Sequence, residues 1–316
     1  MLISVIVPSL NSQNTIFKCI NSILDCKHKQ SIEIIIVDDH STDNSWKIYE
    51  ELVKQYSNVK VIMNEGKGVS AARNTGISHS SGDVIGFCDS DDQYEAGAVD
   101  IAIHYFKKNN SLDVLVGSIR PVYGKWYDPL RIKYNKFESF HDKETYIKKS
   151  LINAAFMGSV CNKFYRRGLI TGTIFDKDIG LCEDTHFNIL LAQKKERINT
   201  ITISSILYNY NKNTKNTTSN ANLLFDKDDN LRYFMFLAKL KTDVKLTKED
   251  YEYIRSAFCY LALDNYCKTD NARRKGKLRK IIFDNESYFI KYRSEYGLIR
   301  FWTHIRMLLA IRLRLV

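Results

Sequence analysis

The segment Phe87-Cys-Asp89-Ser-Asp91-Asp92 sets two carboxylates one residue apart, directly after the apolar run Val84–Cys88. In a loop at a strand end, Asp89 and Asp91 can both reach one divalent cation. Hard oxygen donors favour Mg2+ or Mn2+, ions that complete their shells with water and substrate phosphates. The same residues also suit a solvated acidic turn or a helix start, where Asp is favoured. Their neighbours in the chain have to decide between these readings.

Three further groupings bear on that choice. In Asn64-Glu-Gly66-Lys-Gly68-Val-Ser-Ala-Ala-Arg73-Asn74-Thr-Gly76-Ile77, glycines and small residues let the backbone approach a phosphate, and Arg73 on the ensuing helix adds a forked cation. Lys67 is followed by Gly68 rather than Ser or Thr, so this is not a nucleoside-triphosphate P-loop, and the glycine spacing is not that of a dinucleotide fold. Ala71 and Ala72 also suit close packing of a helix on a sheet. Val37-Asp38-Asp39-His-Ser-Thr-Asp43 offers a carboxylate to a base N–H, or equally a capping loop. In Gly180-Leu-Cys-Glu183-Asp184-Thr-His-Phe187 an acidic pair opens a helix, a placement the helix macrodipole favours in any case.

These groupings need elements to hold them, and the first 120 residues supply an alternation. Ile3–Pro8, Ile32–Val37, Val59–Met63 and Val84–Cys88 read as strands, and Val114–Val116 begins a fifth. Helical spacing of Ile16, Ile20, Ile23 and Leu24, then of Trp46, Tyr49, Leu52 and Val53, then Val69–His79 and Ala96–Lys107, fills the gaps. Thr42 or Ser41 is expected to cap the second helix. Near-continuous apolar strands between amphipathic helices predict an α/β fold with a mostly parallel sheet covered on both faces. Ligands then sit at the carboxyl ends of the strands. Ser9 and Asn11, Asp38 and Asp39, and Asp89, Asp91 and Asp92 all fall there. Residues 121–225 are less regular, with helices expected at Lys143–Asn153 and near Asp184–Lys194. Residues 226–316 read as helical.

The motifs Val-Ile-Val-Pro-Ser-Leu-Asn, Val-Asp-Asp-His-Ser-Thr-Asp-Asn-Ser, Gly-Val-Ser-Ala-Ala-Arg-Asn-Thr-Gly-Ile and Phe-Cys-Asp-Ser-Asp-Asp resemble, in order and spacing, the family 2 glycosyltransferases of the GT-A fold. The likeness is close over residues 2–120 and thinner to about residue 211. It implies a nucleotide-sugar donor held near Pro8, Ser9, Asn11, Asp39, Gly68, Arg73, Asp89 and Ser90, with Asp39 on a uracil-type base. It implies Mn2+ or Mg2+ on Asp89 and Asp91, and an inverting displacement with Asp184 as base and Glu183 beside the acceptor. Asn162-Lys163-Phe164-Tyr165 resembles the segment that precedes the acidic pair, on the acceptor side. The proline usual after the metal motif is replaced by Ala96 or Gly97. After Tyr208-Asn-Tyr210, where relatives carry Arg or His, the loop offers Lys212 and Lys215.

Composition sets the remaining expectations. Seven scattered cysteines without C-x-x-C spacing fit a reducing compartment rather than a disulfide or zinc framework. With no signal-peptide pattern and no apolar run of membrane length, the chain is expected to be cytoplasmic. Residues 1–225 hold 27 Lys+Arg against 24 Asp+Glu, net +3, and residues 226–316 hold 20 against 12, net +8. The division expected is a catalytic domain at 1–225 and a basic helical region at 226–316. Leu298–Val316, with Phe301, Trp302 and several arginines, suits a helix lying peripherally on an anionic membrane, or one docked on its own domain or a second subunit as a homo-oligomer. The acceptor implied is a glycan or a lipid-linked glycan. A sugar nucleotidyltransferase is the rival enzyme, although it would want a Gly-rich basic loop after the first strand. A nucleic-acid-binding protein using the basic region is the non-enzyme rival, and the acidic strand ends argue against nucleic acid lying there.

Overall fold

A computed structural model describes residues 1–123, 126–127, 138–152, 158–211, 247–266 and 271–291, with positions 236, 239–240, 269, 305 and 308–309 beside them. Two strands, β1 (Ile3–Ser9) and β2 (Ile32–Asp38), are buried at every position, as strands covered on both faces must be. They pair in parallel from Ile3↔Ile32 to Ser9↔Asp38, and β1 pairs on its other side with β4 (Val84–Phe87). β3 (Val59–Met63) lies at the edge beside β2 and is only partly buried. This register brings the ends of β1, β2 and β4 to one rim.

Helix α1 (Ile16–Leu24) buries Ile16, Cys19, Ile20, Ile23 and Leu24, the stripe its spacing predicts. Helix α2 begins only at Ser45 and runs to Gln55. The expected caps, Thr42 and Ser41, are therefore corrected. Asp43 Oδ1 accepts the Ser45 N–H at 2.9 Å, and Asn11 Oδ1 takes the Thr42 N–H at 2.8 Å. Helix α3 (Val69–Ser78) lies so close to β1 that a Cβ on Gly76 would stand 2.3 Å from Ile6 Cγ2. Helix α4 (Ala98–Lys108) starts two residues later than its apolar pattern suggests, because Gly97 at φ 73° cannot continue a right-handed helix.

The sheet departs from the parallel plan at its centre. β9 (Lys163–Arg166) runs antiparallel between β4 and β6 (Val114–Tyr123). β10 (Arg197–Asn211) then pairs in parallel with β6, and antiparallel with β5 (Gln93–Tyr94) and β8 (Glu138–Asp142). A two-residue strand, β7 (Trp126–Tyr127), adds to β6. The order is β3-β2-β1-β4-β9-β6-β10-β5. Helix α5 (Lys143–Ile152) precedes β9, α6 (Arg167–Ile170) follows it, and α7 (Glu183–Gln193) leads into β10.

Two helices follow, α8 (Lys248–Tyr266) and α9 (Ala272–Lys291). They run antiparallel, tied by Arg255 to Asn285 at 2.7 Å and Lys291 to Glu252 at 2.5 Å, and α8 packs on α5. The segment Leu298–Val316 lies outside the described residues except at 305, 308 and 309, and Lys212 and Lys215 lie outside them too. Among the described residues, no helix is long and apolar enough to cross a membrane, and six cysteines are free thiols.

Candidate active site

The loops leaving β1 and β2 are stitched together. Asn11, at φ 50°, accepts through Oδ1 from Thr42 and Asp43 N–H, and its own N–H donates to Ser41 Oγ at 2.8 Å. Ser9 is buried and its hydroxyl is engaged with Ser12 and Tyr49, while its carbonyl accepts the Asp39 N–H at 2.7 Å. Pro8 lies within β1 opposite Val37. Asp38 and Asp39 divide the work: Asp38 is fully buried and accepts from Tyr49 O–H and Ser41 N–H. Asp39 is half-buried and reaches the glycine loop, accepting Gly68 N–H at 2.9 Å and Asn64 Nδ2 at 2.6 Å. Gly68, at φ 85°, opens α3 in a conformation that side chains rarely adopt. Asn11, His40 and Cys182 are the non-glycine residues with positive φ among those described; Asn11 and His40 lie in these loops, and Cys182 directly precedes α7.

One turn into α3, Arg73 is 3% exposed and faces three carboxylates. Nη1 donates to Asp184 Oδ1 at 2.6 Å and to Glu183 Oε1 at 3.2 Å, and Nη2 donates to Asp89 Oδ1 at 3.1 Å. The guanidinium lies 5.3 Å from the centroid of the Phe175 ring, which stacks on Phe187. Asp184 Oδ2 accepts the Val160 N–H at 3.1 Å. Burial is the strongest influence on the Asp184 carboxyl and raises its pKa. Arg73 opposes this, Glu183 and Asp89 add to it, and the result is about 7. A carboxylate that takes and releases a proton near neutrality is equipped for general-base work.

Asp89, Ser90 and Asp91 are half-buried at the end of β4, and Asp92 is buried beneath them. Burial first, then the charges of Asp89 and Asp91, push the Asp92 carboxyl well above its usual range. Tyr208 O–H donates to Asp92 Oδ2 at 2.6 Å and Asn211 N–H donates to Oδ1 at 2.7 Å. This excess of carboxylate fits a hard dication in kind. Among the described residues no group of three or more His, Cys, Asp or Glu could hold a metal ion. The two loop carboxylates would be the protein's share, leaving oxygen positions for water and a diphosphate.

The structure thus brings Arg73, Asp89, Glu183 and Asp184 into one cluster, with Asp39 and Gly68 joined to each other at its side. Several participants were not singled out from sequence. Asn74 pairs with the Phe175 backbone in both directions, at 2.8 Å each. Asn188 donates to Gly158 O and Asp184 O and accepts from Tyr146 and Tyr165. Tyr208 and Asn211 clamp the acidic loop. Of these, Asn74 lay inside a recognisable motif and Tyr208 opened the Tyr208-Asn-Tyr210 segment, without a role of its own. The others are ordinary polar residues until the fold assembles them.

Comparison with known proteins gives the cluster its setting. A family profile described as Glycosyl transferase family 2 matches residues 4–172. The uncharacterized glycosyltransferase EpsJ of Bacillus subtilis (strain 168) is 31% identical over 217 residues, 67% of this chain and 62% of that protein. UDP-Glc:alpha-D-GlcNAc-diphosphoundecaprenol beta-1,3-glucosyltransferase WfgD of Escherichia coli is 35% identical over 141 residues, 43% of this chain and 54% of its own. The chain spans less than two thirds of the length of the curated relatives it matches first. The mannosyltransferase PcManGT from Pyrobaculum calidifontis, in complex with GDP-Man and Mn2+, superimposes with a TM-score of 0.58 at 17% identity, over 99% of this chain and 79% of that one. That likeness is one of fold, a GT-A-like core followed by helices. Since the profile spans more than half the chain and takes in the strand-end loops that carry Asp39, Arg73, Asp89 and Asp91, the chain belongs to glycosyl transferase family 2.

Proposed function

We propose that the chain transfers a sugar from a UDP-sugar to a hydroxyl of a glycan or lipid-linked acceptor, inverting the anomeric centre. The observation that carries this reading is the Asp184 carboxylate, fixed on both oxygens and titrating at about 7, beside the loop of Asp89 and Asp91. In a single displacement, Asp184 takes the proton of the acceptor hydroxyl as that oxygen attacks the anomeric carbon and the nucleoside diphosphate leaves. Glu183, adjacent on the first turn of α7, orients the acceptor. Asn11 and Asp39 would meet the base and ribose at the rim where β1 ends in the buried Pro8 and Ser9, and Asp39 retains acceptor capacity for a uracil N–H beyond its bonds to Gly68 and Asn64. Gly68, Arg73 and Ser90 lie toward the diphosphate. Mn2+ or Mg2+ held by Asp89 and Asp91 would supply neutralisation of the charge that grows on the leaving diphosphate.

The named donor of WfgD supports a uridine nucleotide, and Mn2+ in the mannosyltransferase complex supports the cation. The diphospho-lipid acceptor in the WfgD name supports an acceptor of that class. A chain working on such an acceptor would rest peripherally on the cytoplasmic face of a membrane. Arg273, Arg274, Lys275, Lys277, Arg279 and Lys280 at the start of α9 suit anionic headgroups. In this reading residues 1–225 form the catalytic unit and 226–316 its basic helical companion.

Thermal denaturation with UDP, UDP-glucose and GDP, each with and without Mn2+, tests the donor assignment. The expected result is a Mn2+-dependent rise in Tm with the uridine nucleotides that Asp91→Ala abolishes. No Mn2+-dependent rise with any of the three would contradict the proposal.

A further inference from the structure

Lys163, the first residue of β9, is fully buried. Lysine is rarely placed so, because removing an ammonium from water costs several kcal/mol unless it is well paired. A leucine or methionine would fill the same strand position at no such cost. The partners of Nζ explain the choice. It donates to Ser159 O and, at 3.1 Å, to Asn162 Oδ1. Both acceptors belong to the short turn that enters β9, and between them in sequence lies Val160, whose N–H holds Asp184 Oδ2. The turn has two outer anchors. Asn162 exchanges hydrogen bonds with the backbone of Gly117 on β6 at 2.8 and 2.9 Å, and Asn188 of α7 donates to Gly158 O at 2.7 Å. Within the turn, Lys163 Nζ adds to the Cys161 N–H bond to Ser159 Oγ at 3.2 Å and the Lys163 N–H bond to Val160 O at 3.3 Å.

We propose that Lys163 is a positioning residue for the base: by binding the carbonyl of Ser159 and the amide of Asn162 it keeps the Val160 N–H on Asp184 Oδ2. This rests on the reading of Asp184 as the base. The charged groups acting on Asp184 are Arg73 from α3, Glu183 from α7 and Asp89 from the loop after β4, and burial brings the Lys163 ammonium down to about 7 although Asp184 opposes it. Losing Lys163 slackens the Val160 hydrogen bond to the ionised carboxylate, which makes Asp184 hold its proton to higher pH.

The test is an infrared titration of the full chain, following the protonated-carboxyl band that Asp184→Asn removes. Alongside it, UDP release from UDP-glucose with Mn2+ and UDP affinity are measured. Wild type should titrate near 7. Lys163→Met should move that midpoint upward by about one pH unit and lower UDP release at pH 7 about fivefold or more, with UDP affinity unchanged. Lys163→Gln, whose N–H donor is one bond shorter, should move the midpoint in the same direction by a smaller amount. A folded Lys163→Met variant with the wild-type midpoint would overturn the proposal. If Lys163→Met does not fold, an unmoved midpoint in Lys163→Gln overturns it equally. Failure of the underlying reading looks different, since Asp184→Asn would then release UDP at the wild-type rate whatever Lys163 does.

Discussion

Arg73 Nη1 lies 2.6 Å from Asp184 Oδ1, joining the helix after the glycine loop to the helix that carries the acidic pair. With Glu183 and Asp89 on the same guanidinium, one cation holds three carboxylates that would otherwise repel one another. Removing one partner of a buried ion pair costs about 3–5 kcal/mol. Arg73→Met is expected to lose stability on that scale at pH 7.5, and distinctly less at pH 5, where Asp184 has taken up its proton. Urea denaturation at the two pH values checks this. An equal loss at both would mean that Arg73 acts by packing on Phe175 rather than by charge.

Asp184 gives a second prediction, whose sign follows from its raised pKa. The native state binds this proton more tightly than the unfolded chain does. The resulting stabilisation is complete below the unfolded value, about 3.9, and disappears as pH rises through about 7. Wild type should therefore lose stability relative to Asp184→Asn between pH 4 and 7, while its transfer activity rises over the upper part of that range. Parallel denaturation curves for the two proteins across the whole range would contradict the raised affinity.

Tyr208 tests the loop that carries Asp89 and Asp91. Its O–H donates to the buried Asp92 and accepts the Asp89 N–H at 3.3 Å. Tyr208→Phe removes both bonds, while Asn211 N–H still holds Asp92 Oδ1, at an expected cost of about 1–3 kcal/mol. Mn2+-dependent UDP binding should weaken at the same time, because the loop is then tied to the end of β10 without Tyr208, through Asn211 on Asp92 Oδ1 and Asp91 O. Chemical denaturation together with UDP titration measures both effects. Unchanged UDP affinity in a destabilised variant would separate the clamp from the site.

Much of this arrangement was legible before folding. The buried strands β1, β2 and β4, the stripe on α1 and the strand-end position of Asp38, Asp39 and Asp89 follow from periodicity and from turn chemistry. The sequence was silent about β9. A four-residue Lys-Phe-Tyr-Arg segment carries no strand period of its own, and only β4 and β6 on either side make it a strand. The same limit hid the division of labour between Asp38 and Asp39. Which neighbour turns inward depends on the register Ser9↔Asp38 and on Tyr49, 11 residues on. Asn188 acts through partners on other elements, so nothing local marks it, and the Tyr208-Asn-Tyr210 segment marks a place in the chain without showing that Tyr208 holds Asp92.

Gly76 offers a prediction about packing that is independent of chemistry. A Cβ there would meet Ile6 Cγ2 at 2.3 Å and Cγ1 at 3.1 Å, in the middle of β1. Gly76→Ala should cost about 1–3 kcal/mol through overpacking. Combined with Ile6→Ala it should cost less than the sum of the two single changes, since the atoms it strikes are gone. A double-mutant cycle in urea decides this, and strict additivity would contradict the close approach.

The central claim is that Asp184 is the base for transfer from a uridine nucleotide sugar. It is tested most directly by comparing wild type with Asp184→Asn in UDP release from UDP-glucose with Mn2+ and in UDP affinity under the same conditions. The account predicts that release falls by at least about 10²-fold, the scale of a lost general base, while UDP affinity stays near wild type. Release at the wild-type rate from a folded Asp184→Asn protein, or a loss fully matched by lost UDP affinity, would contradict it.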